Sequence, residues 1–146
     1  MEKKTIVMVV DAQGGGLGRQ LISSIRKELP DIHIVAVGTN FAATSNMLKA
    51  GADEAATGEN SVRVAGKKAD VIIGPIGIVI ADSMLGEITT GIANAVAQAD
   101  ARRILIPFSN CENYIAGVSD LSMGKLITDA VAQLKKLVDS EYKTDQ

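Results

Sequence analysis

Apolar and polar positions follow each other in blocks along the chain, and these blocks predict strands and helices in turn. Residues 5–10 are a run of β-branched residues and Met, which is typical of a strand buried on both faces. From Leu17 to Leu29 a Leu or Ile recurs every fourth residue, which predicts an amphipathic helix that ends before Pro30. The chain therefore opens with a strand, a glycine-rich turn and a helix.

The same alternation continues through the next part of the chain. Residues 32–37 predict a second strand, and Thr39 or Asn40 is placed to cap a helix that runs to Lys49. Residues 52–57 predict a short third strand, which a polar turn follows.

The middle of the chain is more apolar and less regular. After the polar turn at residues 58–60, residues 62–64 predict a short strand or an extended loop. Residues 70–74 predict another buried strand, and residues 79–98 have the length of a helix, although Gly86 and Gly91 weaken the pattern.

The last third predicts one more strand at residues 103–107, a brief extended segment at residues 114–118 and a long amphipathic helix over residues 121–138. Asp120 or Ser122 is placed to cap this helix. We expect a single Rossmann-like nucleotide-binding-type domain over residues 1–139 and a polar, frayed tail at residues 140–146.

Strands that alternate with helices at this spacing predict an α/β fold, a single three-layer Rossmann-like or flavodoxin-like domain with a parallel sheet and helices on both faces. In such sheets ligands bind beyond the carboxyl ends of the strands, so residues that follow strands meet at one edge. The candidate ligand contacts are Asp11, Gln13, Gly14, Gly15, Gly16, Leu17, Gly18, Arg19, Thr39, Asn40, Gly74, Pro75, Gly77, Cys111 and Asn113.

The glycine-rich turn at residues 14–18 is the strongest functional signal. Glycines let a ligand approach the backbone, and the free N–H groups of the following helix attract an anion. We therefore predict a phosphorylated small molecule as the ligand, with NAD(P) or another nucleotide among the possible cofactors. The alternative is a tight turn with a purely structural role.

The turn matches neither the dinucleotide-binding motif nor the P-loop motif completely. Position 19 is Arg, so the strict G-x-G-x-x-G spacing is missing, and the second predicted strand ends in Gly38-Thr39-Asn40 rather than in the acid that usually binds an NAD ribose. Short-chain dehydrogenases also need Tyr-x-x-x-Lys, which neither tyrosine provides. In a P-loop reading, Arg19 and Gln20 replace the required Lys and Ser or Thr, which disfavours ATP hydrolysis.

Other polar residues permit chemistry without specifying it. Asp11 either accepts hydrogen bonds from the turn or has a ligand or metal role, and Cys111 is either a nucleophile or a loop residue. The single histidine, His33, lies within a predicted strand, so Cys111 has no evident base. Asp82 or Ser83 is placed to cap a helix, and the alternative is that an acid of this segment, such as Glu87, faces the crevice and binds a ribose or a metal.

Composition excludes several classes of function. A net charge of −2 and an aromatic content of 3% argue against nucleic acid as a partner. One cysteine allows no internal disulfide, and one histidine leaves too few ligands for zinc, so we expect no metal. The longest apolar run, residues 71–81, is too short to cross a bilayer, and we expect a cytoplasmic protein with no membrane partner.

The apolar segment at residues 79–98 also predicts an assembly. A helix that is apolar on nearly all sides must be covered on both sides, and a second copy of the chain is the natural cover in so small a domain. We expect a homodimer formed through this helix.

Several segments together resemble an uncharacterised bacterial family, a domain of unknown function with a Rossmann-like fold and a D-x-Q-G-G-G-[IL]-G motif. They are Asp11 with residues 13–18, then residues 38–40, 49–53, 56–60, 74–83 and 86–88. The resemblance spans nearly the whole chain before the tail, supports the fold and implies no catalytic residue. Three hypotheses stay open: a nucleotide-binding protein, a non-catalytic sensor or regulatory subunit, and a small enzyme for a phosphorylated or carboxylated metabolite that uses Asp11, Cys111, Asn113 or Glu87.

Overall fold

The computed structural model describes residues 3–107, 113–118 and 121–144, with side chains described up to Ser140. Its strands are β1 (Ile6–Asp11), β2 (His33–Gly38), β3 (Glu54–Thr57), β4 (Val71–Pro75) and β5 (Arg102–Ile106). Its helices are α1 (Gly16–Glu28), α2 (Phe41–Lys49), α3 (Glu59–Lys68), α4 (Thr90–Gln98) and α5 (Met123–Thr144).

The five strands form one parallel sheet in the order β3-β2-β1-β4-β5. This sheet confirms the predicted α/β fold. The chain builds outward from β1 to β3, then returns to the other side of β1 for β4 and β5, so the strand order reverses between β1 and β4. The crevice at such a reversal is where open α/β sheets bind ligands.

The core consists of two apolar layers, one on each face of the sheet. Val7 and Val9 of β1 belong to the layer that α1, α2 and α5 cover, whereas Met8 and Val10 belong to the layer that α3 and α4 cover. All four side chains are fully buried, as the continuous apolar run predicts for a central parallel strand.

Residues 62–64, predicted as a strand or extended loop, lie within α3, so that prediction is wrong. The polar turn predicted at residues 58–60 is wrong for the same reason, because Glu59 and Asn60 form the first turn of this helix. Glu59 at its start and two lysines in its last turn suit the helix dipole. Only Val62 and Gly66 of the helix are buried, so its apolar periodicity is short.

The single helix predicted over residues 79–98 is also wrong. Ile76–Val79 form a 3-10 turn, an irregular segment follows, and α4 begins only at Thr90. The cap of α4 is Thr89, whose hydroxyl accepts the Ile92 N–H at 3.0 Å, so neither Asp82 nor Ser83 caps it. Leu85 has a positive φ of 58°, and both of its neighbours are also left-handed, which no helix permits.

Four apolar residues of this region are buried by the chain itself. Ile78, Ile88 and Val96 have no exposed surface, and Ile92 is 2% exposed. The long apolar helix predicted over residues 79–98 is therefore absent, and the argument for a homodimer formed through that helix no longer holds.

The end of the chain differs from its prediction in two respects. Residues 113–118 contain no strand, and α5 continues to Thr144, through most of the predicted tail. Ser122 accepts the Lys125 N–H at 3.3 Å, as the predicted cap should, whereas Asp120 lies outside the described residues. Within the described ranges, no helix is long and apolar enough to cross a membrane.

Arg26 joins three segments at the amino end of the sheet. Its guanidinium donates to the carbonyl of Gly51 at 2.8 and 3.1 Å, to that of Ile32 at 2.8 Å and to that of Pro30 at 3.2 Å. It also pairs with Asp53 at 2.7 Å, and that carboxylate accepts the Ile34 N–H at 2.8 Å. One side chain thus holds the end of α1 against the starts of β2 and β3.

The Arg26 contacts predict a loss of stability on substitution. Arg26→Met keeps the aliphatic stem but leaves the carbonyls and Asp53 without their donor, so we expect the free energy of unfolding to fall by about 1–3 kcal/mol. Urea unfolding measures this change. Lys27→Met, at the exposed neighbouring position, is the control and should change stability by less than about 0.5 kcal/mol. Equal losses in both variants would show that the Arg26 contacts contribute nothing specific.

Candidate functional site

A cavity of about 240 Å³ opens at the carboxyl end of the sheet, between the segments that follow β1 and β4. It therefore lies at the reversal of strand order. The residues that line it come from these two segments, from α1 and from the chain around the start of α5, namely Asp11, Ala12, Gln13, Gly14, Gly15, Gly16, Leu17, Gln20, Pro75, Gly77, Ile80, Ser83, Met84, Asn113 and Met123.

The glycines of the loop serve two different purposes. Gly15 has a φ of 69°, and a Cβ there would lie 2.9 Å from the backbone of Ala43. A Cβ on Gly18 would lie 2.6 Å from Met47 Sδ and 3.1 Å from the Asp11 side chain. The fold itself thus requires these two glycines.

Gly14 and Gly16 have no such structural requirement. Neither has a positive φ, and a Cβ at either position would meet no heavy atom of the described residues within 4 Å. Both line the cavity. Their missing side chains therefore leave open space at the surface where a ligand would lie, which the packing of the protein does not explain.

Asp11 is buried and stabilises the glycine turn through hydrogen bonds to its backbone. Its carboxylate is 5% exposed and accepts the Ala12 N–H at 2.8 Å and the Gly18 N–H at 2.7 Å, one on each oxygen. Burial raises the pKa of this carboxyl above its ordinary value, although the two N–H donors offset part of the effect, and the nearby Glu87 carboxylate raises it further. This geometry matches the interpretation of Asp11 as an acceptor for the turn.

Three loop N–H groups remain available. The Gly15 N–H donates to the carbonyl of Ala12 at 3.0 Å, and the Gln13 N–H donates to Glu87 at 2.9 Å. Among the residues that the structure describes, the N–H groups of Gly14, Gly16 and Leu17 have no acceptor. They lie at the start of α1, where the helix dipole adds a partial positive charge.

Glu87 occupies a position that the sequence did not reveal. Its Oε1 accepts the Thr39 hydroxyl at 2.7 Å, the Asn40 amide at 2.8 Å and the Gln13 N–H at 2.9 Å. Burial opposes its ionisation, but these three donors outweigh that effect and hold the pKa of Glu87 below its ordinary value. Asn40 also donates to the carbonyl of Gln13 and caps α2.

Several predicted contacts lie away from the cavity. Arg19 is exposed on α1 and is not part of the lining, and Thr39 and Asn40 bond to Glu87 instead. Gly18 lies behind the turn, and Gly74 is crowded by the carbonyl oxygen of Val10, so both serve packing. Cys111 lies outside the described residues.

The lining also includes residues that were not predicted. Gln20 lies one turn after Gly16 on α1, so helical spacing is a signal that would have found it. Ile80, Met84 and Met123 add an apolar wall. The first two fell within the wrongly predicted helix, which hid their position.

Two polar side chains of the described cavity lining are already engaged by the protein itself. Both oxygens of Asp11 accept backbone hydrogen bonds, and the Ser83 hydroxyl donates to the carbonyl of Gly77 at 2.6 Å. Within the described residues, no group of three or more His, Cys, Asp or Glu side chains is arranged to hold a metal ion. The open N–H groups and the apolar wall instead suit an anion attached to an apolar or planar group.

A comparison with known protein families identifies the family of this chain. The model of a domain of unknown function, DUF3842, matches residues 6–139, which confirms the family predicted from the sequence motifs. None of the curated proteins matches the chain. A crystal structure of a dodecameric FMN-dependent UbiX-like decarboxylase from Escherichia coli O157:H7 is similar at 19% identity and a TM-score of 0.44, covering 91% of this chain and 76% of its own. A likeness of this degree carries no information about ligand or reaction.

The Asp11 geometry predicts that its amide replacement destabilises the protein. Asn offers one acceptor oxygen, so in Asp11→Asn either the Ala12 or the Gly18 N–H faces an amide donor, and we expect a loss of about 1–3 kcal/mol. Urea unfolding measures this loss, with the exposed Asp129→Asn as the control.

The pH dependence of this loss has a definite sign. Because the pKa of Asp11 is raised on folding, the folded state binds the proton more tightly than the unfolded state does. The stability advantage of the wild type over Asp11→Asn is therefore largest below an ordinary Asp pKa of about 3.9. This stability advantage shrinks as the pH rises to the pKa of Asp11 in the folded state, and it is constant at higher pH. An advantage that grows with pH over this range would contradict the assignment.

Proposed function

We propose a ligand-binding function for this chain, which belongs to the DUF3842 family of unknown function. The ligand is a nucleotide or another phosphorylated small molecule, and its phosphate accepts the N–H groups of Gly14, Gly16 and Leu17. The observation that carries the proposal is the combination of these three open donors with two glycines, Gly14 and Gly16, that the packing does not require.

The rest of the ligand would contact the apolar wall. Ile80, Met84 and Met123 are apolar residues of the cavity lining, and Gln20 and Asn113 are its amide residues. A nucleobase, a nicotinamide or a similar ring suits such a wall, because one polar end and one planar apolar body are typical of small-molecule sites. NAD(P) and other nucleotides therefore remain the ligand classes that we propose to test first.

The Asp11 carboxylate limits how strongly a phosphate binds. A buried negative charge beside the turn repels an anion, but two N–H donors neutralise part of it, and its raised pKa favours the uncharged form. A phosphate on the neighbouring N–H groups would raise this pKa further. An anion at this site is thus repelled less when Asp11 is protonated, so its binding should strengthen as the pH falls through the raised pKa of Asp11.

A non-catalytic sensor or regulatory role fits the described residues better than an enzymatic role. Asp11 has no free oxygen, and Oε1 of Glu87 already accepts three donors from the protein. An enzyme would therefore depend on Oε2 of Glu87, on Asn113 or on Cys111. We propose binding as the function, and any reaction has to be tested separately. We also propose a cytoplasmic location, as the single cysteine suggests.

A thermal-shift panel of NAD(H), NADP(H), FMN, ATP, GTP and S-adenosylmethionine tests this proposal. A ligand at 100 times its Kd stabilises the folded state by about 2.7 kcal/mol, which raises the unfolding midpoint by roughly 5–10 °C for a chain of this length. At least one compound should produce such a shift. Absence of any shift across the panel would count against nucleotide binding.

The variant Gly16→Val tests whether the ligand that causes the thermal shift binds at the glycine turn. Its side chain fills the open space beside the free N–H groups, so we expect the ligand-induced shift to disappear while the protein stays folded. Gly124→Val is the matched control, because this glycine also lies in the first turn of a helix and has no neighbour within 4 Å. The control should keep the full shift. Unfolding of Gly16→Val alone would instead indicate a structural role for the turn.

We also propose that the chain forms a homodimer, through a surface other than the predicted helix. Leu85 is 96% exposed, Tyr114 is 88% exposed and Phe41 is 78% exposed, and each follows the carboxyl end of a different strand. Large apolar side chains exposed around one edge of a sheet are typical of an interaction surface.

Sedimentation velocity at micromolar concentration tests the homodimer, with a dimer as the expected species. Leu85→Asn should weaken the dimer at least about tenfold without loss of stability, because Asn tolerates the left-handed backbone at this position. Lys27→Met serves as a control far from this edge. A wild-type monomer under these conditions would disprove the dimer.

A further inference from the structure

We infer that the ligand of this site is no larger than a mononucleotide, because Glu87 closes the crevice between β1 and β2 where a dinucleotide would place its second nucleoside. This inference rests on the proposed function and specifies its ligand class. It follows from the path of one chain segment across the carboxyl edge of the sheet.

The strand order fixes that path. β1 lies between β2 and β4 in the sheet. Residues 80–87 follow β4, yet Glu87 bonds to Thr39 and Asn40, which follow β2. The segment must therefore pass over the end of β1, and its hydrogen bond to the Gln13 N–H at 2.9 Å marks the crossing point.

The crossing is held by several contacts at once. One oxygen of Glu87 accepts a hydroxyl, an amide and a backbone N–H, at 2.7–2.9 Å. The Asn40 amide donates in addition to the carbonyl of Gln13 at 2.9 Å, so the loops after β1 and β2 are joined directly as well. Hydrogen bonds to a charged carboxylate are stronger than neutral ones, and this closure is therefore firm.

The same segment separates the cavity from the crevice. Ile80, Ser83 and Met84 line the cavity on the β4 side, and Glu87 lies three residues later on the β2 side. The backbone makes this change of direction through left-handed conformations at Met84, Leu85 and Gly86, with φ of 54°, 58° and 86°. A ligand in the cavity thus meets a wall where a dinucleotide would continue.

In dinucleotide-binding folds, the ligand bridges these two places. The pyrophosphate lies on the glycine turn, and an acid at the end of the second strand accepts the ribose hydroxyls. Glu87 brings a carboxylate to that place from the opposite side, but the Oε1 acceptor already has three donors from the protein. A ribose hydroxyl would have to displace one of them or bind Oε2, so closure rests on the path of the segment across the end of β1 and not on a lack of acceptors.

The size of the cavity agrees with a compact ligand. Its volume of about 240 Å³ is below the range of roughly 300–1,000 Å³ that is typical of sites for drug-sized molecules. A phosphate with one ring system fits this scale better than two linked nucleotides do.

Isothermal titration with matched pairs of ligands tests the inference. The pairs are FMN with FAD and nicotinamide mononucleotide with NAD⁺, which share one nucleotide and differ by a second. For the pair whose mononucleotide binds, we expect the wild type to bind it at least about tenfold more tightly than the dinucleotide. Glu87→Ala should open the crevice, reducing this preference to less than about threefold while mononucleotide affinity changes little.

Two further variants keep the result interpretable. Glu87→Gln retains the size of the side chain without its charge, so it should still exclude dinucleotides. Glu87→Ser shortens the side chain as Glu87→Ala does, so it should also reduce the preference, and it serves as the second variant if Glu87→Ala fails to fold. Glu28→Ala, an exposed acid at the end of α1, is the control and should leave both affinities unchanged.

Each other outcome overturns the inference in a distinct way. Tighter dinucleotide binding by the wild type, lost in Glu87→Ala, would make Glu87 a ribose ligand while leaving the proposed function intact. If a folded Glu87→Ala still excludes the dinucleotide, Glu87 is not the cause of that exclusion. Failure of all four ligands to bind, together with no shift across the thermal-shift panel, would overturn the proposed function itself, and the inference with it.

Discussion

The carboxylate of Asp11 is the contact on which the carboxyl edge of this protein depends. Its two oxygens take the N–H groups of Ala12 and Gly18, so the end of β1 and the first turn of α1 are fixed relative to each other. The close approach of Gly18 to this side chain leaves no room for another residue there. Because these donors are used internally, the N–H groups left for a ligand are those of Gly14, Gly16 and Leu17 among the described residues of the turn.

Parallel topology then divides this edge into two sides with different properties. On the β4 side of β1 an open cavity lies beside the free donors. On the β2 side, hydrogen bonds that Asn40 donates to Glu87 and to the carbonyl of Gln13 join neighbouring loops. The amino edge has a purely structural network around Arg26. The contacts available to a ligand thus lie on the β4 side of the carboxyl edge, whereas the β2 side of that edge and the Arg26 network at the amino edge maintain the fold.

The sequence correctly predicted the elements that depend mainly on residues close together in the chain. The central strand β1 and the amphipathic helix α1 follow from apolar runs and spacing, and the glycine turn between them follows from composition. Helix α3 was missed because Val62 and Gly66 are its only buried residues, too few to establish a period. The segment before α4 was mistaken for helix because its apolar residues are buried by tertiary packing. The contact between Glu87 and Thr39 joins positions 48 residues apart, which one sequence cannot reveal.

The left-handed backbone at Met84 and Leu85 has a consequence for how this protein can change. Non-glycine residues in that conformation cost of order 1 kcal/mol or more each, so glycine or asparagine at these positions would relieve a standing conformational penalty. The same replacement would loosen the turn that carries Glu87 to its three donors. Selection for thermostability and selection for discrimination among ligands would therefore act in opposite directions on this short segment, a trade-off that proteins commonly resolve in favour of function.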